Sequence, residues 1–533
     1  MPHMVFLCLA LILTVTVIIY IHYTQTTVEG WDPVAYLYAG EQLAQGHGLR
    51  FCHPFNGTIG PYFTLAGFNV RRAGDSACLY LNYPPGFPLL LAVAQRVSIF
   101  SHTALYVPAL CGVLGVFETF ALGILVFNHP AGALFGALSL ALAPTYMTFS
   151  TAPWSDVPGA VLVIGGIVAL LWGNRQKQTS VQIIMGSIGG ILVGWGIFTR
   201  YVNGLILLPL AAYLWLKHRG ETLQLKSVQA FGVCTAVAVL GVLSFNRAYY
   251  GGFLTTSYSP QHGWYEWPAF HIQYAINRSP VGNSSLWAVI KTIWMNYSWL
   301  LVVSGMGLIS MRAPERALAL GAILVFAGLY SFYAFPSEGL NSRFLVPTFP
   351  FISLAIGCGL YSSIPGRWQR WWYAIACLVF ITSLFVPLPN RLQRLAKRNE
   401  NAANYLTNLM NVIESCCEPE AVFLAYNTND LIAYYGRRTT FFYRRIPSNF
   451  EKELTNAIRA LLLQDIPVYY VQDANPPFRD SLTVLQRDFD LVPLYTEPPI
   501  YRIKRKLEME TISSKFKTCT NYLLFGRQIL WPY

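Results

Sequence analysis

Charged residues are scarce in this sequence. Asp, Glu, Lys and Arg make up 12% of its 533 residues, whereas an average soluble domain carries about 25%. Hydrophobic residues reach 54%, and the mean hydropathy is +0.41. A water-soluble core does not require that much apolar surface, so most of the chain must face lipid or other buried helices. The composition therefore indicates a polytopic membrane protein.

Recognisable metal-binding and cleavage signals are also missing. The cysteines form no C-x-x-C pattern, and the loop histidines His53, His262 and His271 are not spaced to converge on a metal. We therefore predict no cofactor, and leave a divalent metal open. The first apolar run, residues 5–20, has neither a basic leader nor a small-residue cleavage site, so we expect a retained transmembrane helix.

Long apolar runs dominate what is present. Each is close to the ~20 residues that span a bilayer, although some are shorter. Together they predict about eleven transmembrane helices. The runs are 5–20, 104–127, 131–149, 157–172, 181–198, 202–216, 228–250, 286–310, 317–335, 344–364 and 371–386.

The formal net charge is +12, and basic residues cluster in short loops between these runs. That placement fits the positive-inside bias and argues against a nucleic-acid partner. If the basic loops are cytoplasmic, then loop 24–103, loop 251–285 and everything after residue 387 lie outside. This alternation of inner and outer loops requires that segment 87–99 does not cross the membrane, so we expect a short re-entrant or interfacial helix there. We therefore predict that Asp32, Gly263 and Asn449 lie outside the membrane and that Arg175 and Arg367 lie on its cytoplasmic side.

The C-terminal residues change character. Segments 421–426, 439–443, 468–472 and 501–504 have strand patterns, and Ser448-x-x-Glu451 is a capping box that opens a helix over 449–463. Strands that alternate with helices indicate a small α/β domain. The predicted fold is mainly α: a membrane domain over 1–388, with a large outer loop at 24–103, and an extracytoplasmic α/β domain over 389–533.

Cys52 and Cys78 share the large loop. A disulfide between them and a pair of free thiols both remain open, because the choice depends on the compartment. Cys416, Cys417 and Cys519 in the C-terminal region are equally undecided.

Asp32 in the large loop is the first candidate for chemistry. The pair Asp32-Pro33 is a helix start, with Asp as N-cap and Pro at the first helical position, and Gly46 to Gly48 ends that helix. Asp32 could serve only as this cap. Alternatively, it is a carboxylate held where a lipid-borne substrate arrives, able to act as a general base.

Several motifs, taken in order, resemble the GT-C class of membrane glycosyltransferases. The similarity is greatest to the protein O-mannosyltransferase group and to the bacterial transferases that add aminoarabinose to lipid A, and it covers residues 1 to about 390. The motifs are Asp32-x-x-x-Tyr36, Gly46-x-Gly48, Asn82-Tyr83-Pro84-Pro85-Gly86, Ser155-Asp156-Val157-Pro158, Thr199-Arg200-Tyr201 and Ser342-Arg343-Phe344-Leu345-Val346-Pro347.

The resemblance implies roles for particular residues. Asp32 matches the catalytic base of the class, and Asp156 matches its second acidic residue, which would position sugar or acceptor. The aminoarabinose transferases carry a Lys in the loop motif, where this chain has Tyr83 or Pro84. The donor phosphate then needs another cation, for which Arg343 and Arg200 are the candidates because guanidinium binds phosphate with two parallel hydrogen bonds.

Tyr36, Tyr83 and Glu338 are predicted to contact substrate. Three alternatives stay open: Asp156 is a helix cap, Arg200 extends from a helix end to the headgroups, and Arg343 is the ion-pair partner of Glu338.

The resemblance implies an inverting sugar transfer from a polyprenyl-phosphate donor to a lipid, glycan or protein acceptor, at the outer face of the plasma (inner) membrane. Two alternatives remain: a transporter or flippase of lipid-linked sugars, and an inactive GT-C-fold assembly protein. The sequence shows no repeats or paired broken helices of the transporter type.

Overall fold

The computed structural model describes residues 2–69, 77–97, 103–219, 221–258, 269–280, 282–361, 369–442, 450–472, 481–496 and 498–506. The chain divides into two compact units. The helical unit comprises Met1–Thr26, Pro84–Thr256 and Glu266–Arg398, and the mixed unit comprises Thr27–Tyr83, Ser257–Tyr265 and Asn399–Tyr533. The large loop thus groups with the C-terminal residues. The functional domain boundary at residue 389 stays a prediction.

The α-helices are α1 (Pro2–His22), α2 (Trp31–Gln45), α3 (Pro54–Thr58), α4 (Gly86–Val97), α5 (Thr103–Phe127), α6 (Pro130–Ala141), α7 (Pro144–Ser150), α8 (Asp156–Gly173), α9 (Thr179–Thr199), α10 (Leu207–His218), α11 (Lys226–Tyr250), α12 (Gln273–Ile276), α13 (Ser285–Tyr297), α14 (Leu300–Ser310), α15 (Ala313–Ser331), α16 (Phe349–Tyr361), α17 (Gln369–Phe385), α18 (Leu388–Cys416), α19 (Asn429–Tyr434), α20 (Phe450–Leu463) and α21 (Ser481–Asp488). The strands are β1 (Arg50–Cys52), β2 (Phe68–Asn69), β3 (Cys78–Leu81), β4 (Val422–Ala425), β5 (Thr439–Phe442), β6 (Val468–Val471), β7 (Phe489–Thr496) and β8 (Pro499–Arg505).

Within the described residues, eight helices are long and apolar enough to cross a membrane, or up to ten if each bent pair counts as one span. The bent pairs are α6 with α7, at 65°, and α13 with α14, at 96°. The predicted multi-pass helical membrane fold is therefore confirmed. Run 202–216 differs from the expectation because a 3-10 helix, Tyr201–Ile206, precedes α10, which has only 12 residues.

The segment that the alternation of inner and outer loops requires not to cross the membrane is α4. It is 12 residues long, about 18 Å at 1.5 Å per residue, whereas the hydrocarbon core is about 30 Å thick. α4 is therefore too short to span, as the sequence predicts.

The loop motif ends in Gly86, at a position where the packing leaves no room for a side chain. A Cβ at this position would lie 2.6 Å from the backbone carbon of Phe198 and 2.6 Å from the backbone nitrogen of Thr199. The Trp195 indole also donates a hydrogen bond of 2.9 Å to the Gly86 carbonyl. The start of α4 is thus packed directly on the end of α9, beside Arg200.

Gly86→Ala is expected to lower the free energy of unfolding by about 1–3 kcal/mol, because the new methyl group meets backbone that cannot yield. Thermal unfolding in detergent would measure the loss. Gly232→Ala in α11 is the matched control, since nothing lies within 4 Å of a Cβ there. An equal shift in both variants would contradict the packing argument.

Among the described residues, two sheets form the framework of the mixed unit. The first has the order β1-β3-β2 and is antiparallel. Cys52 and Cys78 face each other in the β1–β3 register and form a disulfide, with sulfurs 2.01 Å apart. Of the two open alternatives for this pair, the structure has the disulfide. Cys417 is a free, buried thiol, and Cys519 lies outside the described residues.

The second sheet has the order β5-β4-β6-β8-β7, in which β5, β4 and β6 run parallel and β8 and β7 are antiparallel. All four predicted C-terminal strands are confirmed, and α20 begins at Phe450; Ser448 lies outside the described residues. The sequence missed β7, an edge strand with Pro493 at a register shift. Proline in a strand is tolerated at edges and bulges but weakens the strand signal.

Candidate active site

The predicted site residues fall into two sets. Asp156, Arg200, Arg343 and Glu338 belong to the helical unit, and Asp32, Tyr36 and Tyr83 belong to the mixed unit. Each set is described by itself.

Asp156 is the first residue of α8, and the N-cap position is occupied by Ser155. Its side chain is only 1% exposed. Arg200 Nη1 donates to Asp156 Oδ1 at 2.5 Å, and Arg343 Nε lies 3.6 Å from Asp156 Oδ2. The alternative that Asp156 is only a helix cap is therefore wrong: its carboxylate is held by two guanidinium groups.

Both arginines lie where regular α-helical structure is interrupted. Arg200 is the C-cap of α9 and has extended backbone, with φ −150 and ψ 114, so its side chain leaves the helix axis. Arg343 lies in a 3-10 helix, Gly339–Thr348. Both side chains are largely buried. The alternative that Arg200 extends to the headgroups is wrong, because its guanidinium points into an ion pair.

Aromatic rings surround this cluster. The Arg343 guanidinium carbon lies 3.8 Å from the Trp154 ring centroid and 5.1 Å from that of Phe344, and the Arg200 carbon lies 5.4 Å from Phe344. Tyr330 stacks on Phe344 at 5.0 Å. Such contacts stabilise desolvated guanidinium groups. Since two guanidinium groups face one carboxylate, the three groups together have an excess of positive charge.

Glu338 has partners of its own. It forms an ion pair of 3.4 Å with Lys291 and accepts a hydrogen bond of 2.8 Å from the Asn283 amide. Arg343 forms its ion pair with Asp156 and not with Glu338, whose ion-pair partner is Lys291. A substrate contact by Glu338 stays a prediction.

In the mixed unit, Asp32 is the second residue of α2. The N-cap is Gly30, whose φ of +97 is accessible to glycine. The capping role considered for Asp32 is therefore wrong, because the helix starts one residue before it. At the other end Gly46, with φ +84, terminates α2 as predicted.

The partner of Asp32 is Tyr83, whose hydroxyl donates to Asp32 Oδ1 at 2.6 Å. Tyr36 packs on Tyr83 with ring centroids 4.8 Å apart. Burial, followed by the negative charge of Asp32, raises the pKa of Tyr83 well above its usual value. Tyr83 therefore stays protonated and orients the carboxylate through a charge-assisted hydrogen bond.

Asp430 is a buried carboxylate that the sequence did not single out. Asp430 Oδ1 accepts from the Ala66 backbone at 2.7 Å and from the Asn429 amide at 3.0 Å, and Asn429 also donates to the Thr64 carbonyl at 2.9 Å. Its charge adds to the rise of the Tyr83 pKa. No local sequence signal links residue 430 to the first loop, so only the folded chain reveals it.

Tyr83→Phe is expected to slow any reaction that depends on the Asp32 carboxylate by roughly 10- to 100-fold, because a hydrogen bond to a charged group contributes about 1.5–3 kcal/mol. The ring and its packing on Tyr36 remain, so the thermal stability should change little. Initial rates measured beside thermal unfolding would separate the two effects. A full rate with Tyr83→Phe would contradict the orienting role.

No group of three or more His, Cys, Asp or Glu that could hold a metal is found among the described residues. His262, one of the loop histidines, lies outside them. His53 instead caps α3 by accepting from the Phe55 backbone at 3.3 Å.

Comparisons with known proteins agree with this architecture. The family model described as dolichyl-phosphate-mannose-protein mannosyltransferase matches residues 82–245. A crystal structure of ArnT from Cupriavidus metallidurans bound to undecaprenyl phosphate is similar at a TM-score of 0.65 and 12% identity, covering 93% of this chain and 97% of that one. A search of curated protein sequences gives no match.

Two further solved structures share the fold. The oligosaccharyltransferase of Archaeoglobus fulgidus gives a TM-score of 0.59 at 14% identity, covering 88% of this chain and 69% of that one. Arabinofuranosyltransferase AftD from Mycobacteria gives a TM-score of 0.53 at 13% identity, covering 93% of this chain and 41% of that one. The predicted resemblance is confirmed: the chain has the fold of the GT-C class of membrane glycosyltransferases, with residues 82–245 matching the mannosyltransferase family.

Proposed function

We propose that the chain is a membrane glycosyltransferase that moves a sugar from a polyprenyl-phosphate donor to a lipid, glycan or protein acceptor. The observation that carries this proposal is the buried cluster of Asp156, Arg200 and Arg343. A preorganised pair of guanidinium groups in an apolar setting suits an anion that leaves during the reaction. Support also comes from structural relatives that were solved with undecaprenyl phosphate and with dolichol-phosphate.

Arg343 and Arg200 are the proposed phosphate ligands. As the bond between the sugar carbon and the phosphate oxygen breaks, its electron pair passes to the phosphate, and the guanidinium donors stabilise that charge. Asp156 positions the two arginines by holding both side chains. A direct contact between Asp156 and sugar or acceptor is part of the same proposal.

Asp32 is the proposed base. It accepts the proton of the acceptor hydroxyl or amine while the acceptor atom bonds to the sugar carbon. Attack on the face opposite the phosphate inverts the configuration of that carbon. Tyr83 holds the Asp32 carboxylate in place, and Tyr36 supports Tyr83 and lies beside the proposed substrate.

The test is transfer by the purified protein in proteoliposomes that contain a series of defined polyprenyl-phosphate sugars. Mass spectrometry would follow free polyprenyl phosphate and glycosylated acceptor, with an extract of the native membrane as the source of acceptors. Stoichiometric formation of both products supports the proposal. Movement of intact donor across the bilayer would support the flippase alternative, and neither reaction would support the inactive assembly protein.

A plasma-membrane location with the large loop and C-terminal domain outside belongs to the same proposal. Single cysteines near Asp32 and at Arg175 are expected to react with a membrane-impermeant thiol reagent from opposite sides, Asp32 from outside. Labelling of intact cells and of inverted vesicles would measure this. Reaction of both positions from one side would overturn the predicted orientation. Gly263, Asn449 and Arg367, whose sides are also predicted, lie outside the described residues.

A further inference from the structure

Residues 269–280 form a short segment of the helical unit between α11 and α13, here called the lip. Backbone hydrogen bonds fix it to the end of α15: His271 donates to the Phe332 carbonyl at 2.9 Å, and Ala334 donates to the Ala269 carbonyl at 2.8 Å. Ser284 Oγ also donates to the Ala275 carbonyl at 2.5 Å. The lip is therefore a built element with a defined orientation.

One face of the lip is apolar and exposed. Ile272 is 71% exposed and Ile276 is 80% exposed. They are four residues apart around α12, which places them on the same side of that turn. Tyr274 and Ala275, between them, are buried, so the lip turns its isoleucines away from the protein.

The elements on either side of the lip identify what this face meets. α11 is a candidate membrane span, and the bent pair α13–α14 is apolar enough for one broken span or a re-entrant loop, so α11 and the pair each place one end of the segment between them at a membrane surface. Trp287, near the start of α13, is 59% exposed, and Trp is typical of the bilayer interface. Arg278 follows Ile276 by two residues and is exposed, which suits lipid headgroups.

A row of aromatic rings connects the lip with the arginine pair. Phe270 packs on Tyr333 at 4.9 Å, and Tyr333 packs on Phe344 at 5.6 Å. Phe344 in turn lies against Arg200 and Arg343. These contacts form a continuous packed path from the lip to the two arginines.

We propose that the lip is a membrane anchor. Ile272 and Ile276 insert into the acyl region of the bilayer surface, and Arg278 stays at the headgroups. Through Phe270, Tyr333 and Phe344, this contact sets the level at which Arg200 and Arg343 stand. The inference concerns a lipid surface and does not depend on the proposed sugar transfer.

The test measures the depth of single labels. Cysteine would replace Ile272 or Ile276 in a background in which the exposed thiols Cys8 and Cys377 are changed to serine. An environment-sensitive fluorophore would be attached, and the protein would be placed in nanodiscs with or without nitroxide-labelled lipid. Met295→Cys on α13, 62% exposed, is the lipid-facing control, and Leu463→Cys in the mixed unit, 70% exposed, is the apolar control away from the lip.

Lipid quenching of labels at Ile272 and Ile276 is expected to approach that at Met295 and to exceed that at Leu463 at least twofold. Quenching no stronger than at Leu463 would overturn the anchor. Shielding of both labels from lipid nitroxide and also from aqueous iodide would indicate a protein partner, and would overturn it as well. Because the readout is spectroscopic, failure of the anchor and failure of the proposed transfer are distinguishable.

Discussion

Asp32→Asn is expected to lower sugar transfer by at least ~100-fold, the usual scale for a general base. The amide keeps the size of the side chain and an oxygen that can accept from Tyr83, but it cannot take up a proton from the acceptor. α2 should remain intact, since its N-cap is Gly30. Initial rates in proteoliposomes would measure the loss, with membrane insertion and thermal unfolding checked on the same preparation.

Glu41→Gln supplies the matched control for Asp32. Glu41 lies on the same helix and pairs at 2.9 Å with the exposed Arg437, an ion pair that contributes about 1 kcal/mol or less. We expect near-normal transfer from this variant. Near-normal transfer from Asp32→Asn as well would remove the base from the proposed mechanism.

Arg343→Ala is expected to weaken donor binding by roughly 10- to 100-fold, because charge-assisted hydrogen bonds of about 1.5–3 kcal/mol are lost. Arg343→Lys keeps the charge but loses the two-pronged geometry, so a smaller defect should remain. The dependence of rate on donor concentration separates a rise in KM from a fall in kcat, and the hypothesis predicts mainly the former.

Lys291→Ala is the comparison for Arg343. It breaks the ion pair with Glu338, in which the lysine side chain is 47% exposed, while leaving Asp156 and both arginines untouched. Its effect on donor KM should stay within about twofold, as for an exposed pair that contributes ~1 kcal/mol or less. Equal, small effects of Arg343→Ala and Lys291→Ala would exclude the phosphate role.

The length of the apolar runs and the local spacing of residues were sufficient to predict most of the fold. α5 and α11 each present 25 residues of strongly apolar sequence, and such a run has few alternatives to a membrane span. β7 escaped because Pro493 interrupts its pattern, and only the neighbouring β8 shows that the proline falls at a register shift. The 3-10 helix within region 201–218 was not predicted, because hydropathy does not distinguish a 3-10 turn from an α-helical one.

The sequence named the residues of the candidate site but not their contacts, and the roles of these residues toward substrate stay predictions. Asp32 and Tyr83 are 51 residues apart in the sequence and share a hydrogen bond. Asp156 and Arg343 were assigned separate roles toward substrate, yet they form an ion pair. Both aspartates looked like helix caps, because an aspartate one or two residues before a proline, near a helix start, gives the same sequence pattern whether or not it occupies the N-cap position.

The Cys52–Cys78 cross-link has a consequence for biogenesis. A disulfide forms only where an oxidant reaches both thiols and persists only outside reducing compartments. If the first loop lies outside, as proposed, the cross-link in a newly made chain would distinguish molecules whose first loop has been translocated from molecules whose first loop is still in the cytosol. A gel-shift assay with a maleimide mass tag, with and without prior reduction, would therefore count correctly inserted molecules during expression, before any substrate is known.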